Sequence, residues 1–404
     1  MSGRVGLIAG NSLAQAVGTA SALIFTLLGT RLLSVVDYGE LRFVMILLPL
    51  AMALSLPGFD SVILRATGLR AMVPLARILV TRMLAGCLGS LLIAGALIVF
   101  ADQIGEALRF LLVATAVLLP LFETATGYRN YLLGKGLRNS GNRLLLQARF
   151  GSLALFLAIA AMIQPLGIAA LWIYPAWMAS TILFTLLSAL RVLLKRSRSG
   201  FHWRRFGGRL PLSEAVAATL AGVVYTFAFS IDKLGVRTTL GPEQLALYSL
   251  LIMVPQELAK MVDSNISLFY RDLFFSRDRP QEKTMARYIG FALLGMAAYV
   301  LAFHWLSALI FGPAYHYSIG LVALSSLLFA GQSMEYFIIH RTLAMSGARA
   351  MFGYSLCNLF ATSLVVWSGL TLGGVVGLIL GLVAKQITLP VAFGIIVRKP
   401  VNAL

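Results

Sequence analysis

Charge is scarce in this chain. Of its 404 residues 12% are charged, against 59% that are apolar. A soluble domain needs about 25% charged residues, so a water-soluble fold is excluded. Cysteine is nearly absent. Cys87 and Cys357 both sit inside apolar runs, which reads as buried structural thiols rather than a disulfide framework or a metal set. The four histidines, His202, His304, His316 and His340, are scattered, and none pairs at metal-ligand spacing. No zinc motif and no Gly-rich phosphate loop occurs, so neither a metal nor a cofactor is expected. Strict apolar/polar alternation is missing too, which excludes a membrane barrel. What remains is a bundle of transmembrane helices.

The apolar runs are about 20 to 25 residues long, enough to cross a bilayer. Twelve are read, near 7–33, 41–64, 78–101, 107–129, 144–163, 166–190, 212–236, 244–268, 287–311, 317–340, 351–370 and 373–397. The first is too long for a signal-peptide core and is read as a retained helix. It also has a counterpart, because Val17–Arg65 returns without a gap at Val223–Arg271. Identical pairs include Leu28/Leu234, Gly29/Gly235, Arg31/Arg237, Pro49/Pro255 and Arg65/Arg271. The offset is half the chain. With six crossings per half, the two halves run in the same direction, about an axis along the membrane normal. The expected organisation is a first six-helix bundle over 1–190, a linker over 191–211 and a second bundle over 212–404.

Lys and Arg orient the chain. With both termini in the cytoplasm, the inner loops collect 26 of the 33 basic residues. Arg129 and Arg149 are counted there, as are Arg65 and Arg82. The outer edges keep Arg31, Arg42, Arg109, Lys233 and Arg237, and only Lys260 and Lys385 fall inside crossings. Basic loops facing an anionic inner leaflet account for the net charge of +18 without nucleic acid. The linker carries seven basic residues, no acid, and Phe201, His202, Trp203 and Phe206. It reads as an interfacial connector that touches membrane lipid.

Two stretches carry a family resemblance. Leu28-Gly29-Thr30-Arg31-Leu32-Leu33 leads to Asp37-Tyr38-Gly39, and Asp232-Lys233-Leu234-Gly235 leads to Leu240-Gly241-Pro242 and Tyr248. These resemble the passages after the first and seventh crossings of polysaccharide flippases, the Wzx-like branch of the multidrug/oligosaccharidyl-lipid/polysaccharide exporters. The resemblance implies two six-helix bundles around a central cavity, alternating access and a cation or potential gradient. It implies export of an undecaprenyl-diphosphate-linked oligosaccharide across a bacterial inner membrane, beside a glycan polymerase and other export components. A cation-coupled exporter of a small amphipathic molecule is the alternative. A facilitator-type carrier is set aside, because Arg65–Arg82 lacks that family's acid-bearing loop. A membrane enzyme of the same pathway needs convergent acids or bases at an aqueous loop. The outer loops are too short to hold them, so no enzyme is expected.

Ionisable residues inside a membrane are costly and mark pathways. Glu257, Lys260 and Asp263 lie three apart on one side of the eighth crossing. Lys260 is expected either to hold a diphosphate as a buried ammonium or to neutralise its two acids. Arg31 and Arg237, together with Asp232, Lys233 and Lys385, complete the candidate pathway. Asp60 is expected to pair with Arg65, and Glu123 and Glu335 with loop arginines. Pro49 and Pro255, at matched places, are candidate hinges or static bends.

Overall fold

The computed structural model describes residues 2–52, 55–68, 75–99, 105–122, 126–163, 165–166, 168–197, 212–275 and 281–396. Among the described residues there is helix and no strand. Eight segments are long and apolar enough to cross a membrane, so the chain is a multi-pass membrane protein. The expected linker lies outside the described residues from 198 to 211, and Glu123 lies outside them as well.

The chain forms two compact units. Unit 1 takes the described residues up to Gly29 and from Leu47 to Gly222. Unit 2 takes Thr30–Ile46 and the described residues from Val223 onward. Each unit therefore borrows a short piece from the other half of the sequence.

Unit 1 holds most of α1 (Ser2–Leu32), the end of α2 (Val35–Met52), α3 (Gly58–Gly68), α4 (Leu75–Val99), α5 (Glu106–Phe122), α6 (Thr126–Gly134), α7 (Arg138–Ile163) and α8 (Ile173–Ser197). The first eleven residues of α9 (Leu212–Phe275) close it. The second and fourth crossings are not the continuous helices expected from their apolar runs. α2 stops at Met52, and α3 begins only at Gly58. Between them Leu56 takes φ 55°, a left-handed conformation that costs a branched residue about 1–2 kcal/mol. Pro57 follows, with no N–H to continue a helix. An apolar run reports burial in lipid, not an unbroken backbone, which is why hydropathy missed the break. The interior is aromatic. Phe25 packs on Trp177 with ring centroids 5.3 Å apart, while Phe110 meets the exposed Trp172 edge-on at 5.1 Å. Tyr174 and Thr115 share a buried hydroxyl bond of 2.7 Å.

Unit 2 contains the start of α2, the rest of α9, α10 (Gln281–Phe311) and α11 (Ile319–Ile396). α9 is interrupted at Gly241 (φ 91°, ψ 176°), a conformation only glycine adopts freely, and Pro242 starts the next stretch. α11 runs to 78 residues, and at 1.5 Å per residue a straight rod would span roughly 117 Å. It doubles back instead. Gly374 has φ 57°. Around it Gly369 lies against Gly377, Val365 against Gly381, Thr362 against Lys385 and Tyr354 against Phe393. The paired numbers rise on one side as they fall on the other, the signature of antiparallel helices. Gly369 and Gly377 let the two backbones touch, as small residues do at helix crossings in lipid. A further reversal lies between Glu335 and Tyr354, whose side chains meet at 3.3 Å.

Both cysteines are exposed rather than buried as expected. Cys87 shares its face of α4 with exposed Leu84, Leu88 and Leu91. In a membrane protein the outer face of the bundle is as apolar as its core, so an apolar run says nothing about which way a thiol points.

Candidate functional site

Unit 1 contains a cavity of about 280 Å³ whose lining, among the described residues, carries two positive charges and no negative one. It is built by α5, α6, α7 and α8. On α7 the residues Asn142, Leu145, Arg149, Ser152 and Phe156 recur at spacings of three and four, so they share one face. Arg149 and Ser152 line the cavity, while Phe156 packs on Phe25 with centroids 6.2 Å apart. The Arg149 guanidinium lies against Gly18 of α1, where a Cβ would sit 3.0 Å from its Cζ. A glycine at that turn is what leaves room for the charge. Arg129, from α6, donates to Asn11 Oδ1 at 3.3 Å and completes the cationic end.

The opposite wall is α8. Trp177, Thr181 and Thr185 follow at i, i+4 and i+8 and face the cavity together. Phe122 closes the aromatic side and lies 6.2 Å from Trp177. The three hydroxyls are tied to their own helices. Thr181 donates to Trp177 O at 2.9 Å, Thr185 to Thr181 O at 2.6 Å, and Ser152 to Arg149 O at 3.0 Å. Arg129 and Arg149 were expected in cytoplasmic loops. The spacing of polar residues along α7 was the signal that could have moved Arg149 into a helix face.

Unit 2 gathers the charges that the sequence scattered. Asp232 and Lys233 are both buried. Lys233 curls back on its neighbour, donating to Asp232 at 3.1 and 3.3 Å and to Phe229 O at 2.9 Å. Tyr248, from beyond the Gly241 break, donates to Asp232 Oδ2 at 2.7 Å. Lys233 is thus an interior group, not an outer-edge charge. The bend at Gly241 returns the chain so that Tyr248 reaches Asp232, a fold-back that loop counting does not show.

Glu335 is not paired with a loop arginine. It is buried against Lys385, with Nζ 3.8 Å from Oε2. Lys385 also donates to Asn358 Oδ1 at 2.7 Å and Thr362 Oγ1 at 3.4 Å, and Tyr354 donates to Glu335 Oε1. Every one of these groups lies on α11, brought together by its reversals.

The trio of the eighth crossing separates. Among the described residues Lys260 pairs with Glu257 alone, and its side chain is 53% exposed, so it is not a buried ammonium. Asp263 turns to His340 Nε2 at 2.7 Å. One turn of helix offers a lysine two acids, but a second helix supplies the nearer partner for one of them. The matched arginines also diverge. Arg31 donates to the Ile310 carbonyl at 2.9 Å and to that of Leu309, covering the last turn of α10. Arg237 pairs with Glu40. Pro49 and Pro255 lie within helical stretches, while the departures from helix fall at Leu56–Pro57 and Gly241–Pro242. Asp60 pairs with Arg82 at 2.7 Å, and the side chain of Arg65, its expected partner, lies outside the described residues. Arg82 is among the most deeply buried side chains and also donates to Ser55 O at 3.3 Å, covering a carbonyl at the α2–α3 break. Among the described residues no three His, Cys, Asp or Glu side chains cluster for a metal.

No protein-family model and no curated protein matches this chain. Solved structures do. A MATE transporter in its straight conformation superposes with a TM-score of 0.70 at 15% identity, over 98% of this chain and 94% of that one. An outward-facing multidrug resistance MATE transporter of the MOP superfamily gives 0.66 at 15%, over 98% and 94%. A MOP superfamily transporter from Pyrococcus furiosus, described by the reversed polarity of its binding pocket, gives 0.64 at 15%, over 97% and 94%. At such identities the likeness establishes the fold alone: this chain has the fold of the MATE transporters.

Proposed function

We propose that the protein is an exporter that moves a diphosphate-linked lipid oligosaccharide across a bacterial inner membrane by alternating access, in surface polysaccharide synthesis. The observation that carries this reading is the cavity of unit 1, whose described lining includes Arg129 and Arg149. Guanidinium groups bind phosphate oxygens through paired, charge-assisted hydrogen bonds, and a low-dielectric surrounding strengthens them. The fold likeness to multidrug transporters favours a second reading, a cation-coupled exporter of small amphipathic molecules. Two arginines in the described lining favour an anionic cargo over a cationic drug. The two readings separate on the anion.

The reading includes twelve crossings with both termini cytoplasmic. Eight apolar segments are seen, and the two longest, of 58 and 44 residues, are each about twice a bilayer crossing and each broken by a glycine of positive φ. The short pairs α2–α3 and α5–α6 supply two more. Residues 1–190 and 212–404 form the two six-helix halves of this scheme, joined by the basic linker. In a variant without Cys87 and Cys357, a single cysteine at the exposed Glu243 should label in intact cells, and one at position 200 only after permeabilisation. The opposite pattern would overturn the orientation.

Farnesyl diphosphate tests the cargo. Titrated into the purified protein, it should bind, and Arg149→Gln should weaken binding by about 10- to 100-fold, the worth of one charged hydrogen bond of ~1.5–3 kcal/mol. Farnesol should not compete. Equal affinity for farnesol, or no change in Arg149→Gln, sinks the diphosphate reading.

A further inference from the structure

The turn between α10 and α11 brings two histidines together. His304 lies on α10 and His316 in the turn, and their ring centres stand 5.9 Å apart. Spacing along the chain hides the pair, because the reversal after Phe311 creates it. The turn is firmly built. Gly312 takes φ 113°, and the Tyr315 amide donates to the Gly312 carbonyl at 3.0 Å. Tyr317 is buried on Phe303, with ring centres 5.6 Å apart, and its hydroxyl donates to the Leu247 carbonyl at 2.9 Å. The backbone that carries His316 is therefore held from two sides.

His304 Nδ1 lies 2.9 Å from the carbonyl oxygen of Tyr317. A carbonyl only accepts, so Nδ1 carries the hydrogen and donates it. In the neutral ring the lone pair is then on Nε2. A histidine held this way by a backbone carbonyl is oriented as a metal ligand is, with the other nitrogen left to bind. His316 is exposed. Among the described residues neither ring meets a carboxylate that would take it into an ion pair. A metal about 2.0–2.1 Å from one nitrogen of each ring sets the ring centres roughly 5–6 Å apart, which matches the 5.9 Å observed.

We propose that His304 and His316 form a divalent transition-metal site at the α10–α11 turn, for an ion of the class of Zn²⁺, Ni²⁺ and Cu²⁺. Imidazole nitrogen suits these ions, whereas Mg²⁺ and Ca²⁺ take oxygen. Two protein ligands leave the remaining positions to water, so the ion exchanges and is not a permanent staple. While bound, it ties the turn to α10. The site is independent of the cargo. In the orientation proposed above the turn lies on the outer face, where metal in the medium reaches it.

Cu²⁺ is the probe, because nitrogen sites bind it most tightly in this series. Trp305 is a built-in reporter, with its ring centre 5.2 Å from that of His304. The full-length protein, purified in detergent without a polyhistidine tag, should lose fluorescence as Cu²⁺ is added. Trp305→Phe should remove most of that loss while binding persists. Electron paramagnetic resonance should show two imidazole nitrogens on Cu²⁺ in the wild type and one in His316→Ala. His316 is exposed, so this change spares the packing. His304→Asn keeps a side-chain N–H for the Tyr317 carbonyl and removes the Nε2 lone pair, which separates ligation from folding. Each variant should weaken binding by about 100-fold, since losing a ligand costs at least as much as losing its hydrogen-bonded support. Zn²⁺ should displace Cu²⁺, and Mg²⁺ should not. Wild-type affinity in both histidine variants, or a Cu²⁺ spectrum without imidazole nitrogen, overturns the site.

Discussion

Lys385→Ala should lower the unfolding free energy by about 3–5 kcal/mol, the cost of leaving one partner of a buried ion pair alone. Glu335 and Lys385 are both buried, and Glu335 is almost wholly so. Without the ammonium, Glu335 keeps only the Tyr354 hydroxyl, and Asn358 Oδ1 and Thr362 Oγ1 lose a donor. Glu335→Gln with Lys385→Met removes both charges at similar volume. Replacing a buried pair in this way is often neutral or better, so the double variant should regain most of the loss. Thermal unfolding in detergent, followed by intrinsic fluorescence, reads both. A double variant as damaged as the single one would show that the three helix stretches of α11 depend on something other than this pair.

Arg82→Ala should cost about as much, ~3–5 kcal/mol, for a related reason. Arg82 is fully buried, pairs with Asp60, and covers Ser55 O where α2 has ended and α3 has not begun. A broken helix within an apolar region leaves carbonyls that no water reaches, and one polar side chain from a neighbouring helix satisfies them. Its loss takes a charged partner from the Asp60 carboxylate and the donor from the Ser55 carbonyl. Arg82→Lys keeps the charge but not the planar fork that spans both acceptors, so it should recover only part. Asp60→Asn keeps a hydrogen-bond acceptor beside Arg82 but strands its charge, and should rank below alanine in severity. The same unfolding measurement checks the order, and an Arg82→Ala variant as stable as wild type would refute it.

The helical class, the membrane setting and the apolar segments were legible because each depends on composition over twenty or more residues. The fold was within reach from the resemblance of two short passages around Arg31 and Asp232. The pairings were not. Asp263 sits closer in sequence to Lys260 than to His340, yet it turns to the histidine. Sequence distance is a poor guide once breaks at Leu56 and Gly241, and the reversal at Gly374, decide which faces meet. The cavity of unit 1 was hidden for another reason. Counting arginines into loops treats every basic residue as a topological signal, and Arg129 and Arg149 are spent on a surface instead. The polar spacing along α7 and α8 was present, yet in an apolar helix a threonine that bonds its own backbone is common and draws no notice.

The piece of chain from Thr30 to Ile46 has a bearing on how the protein is made. It belongs to unit 2, yet the ribosome delivers it long before Val223 emerges. During that interval Arg31, Glu40 and Arg42 are without the Leu309 and Ile310 carbonyls, Arg237 and the Ser249 carbonyl that later receive them. Three charged side chains must then wait at the translocon or in the lipid head groups until the second half is synthesised. Unit 1 has the converse debt, since Thr219 binds the Gly58 amide only after most of the chain has been threaded past it. Neither unit closes on the product of its own half of the message. A chain severed at the basic connector would yield two fragments that complete each other, and neither would mature alone.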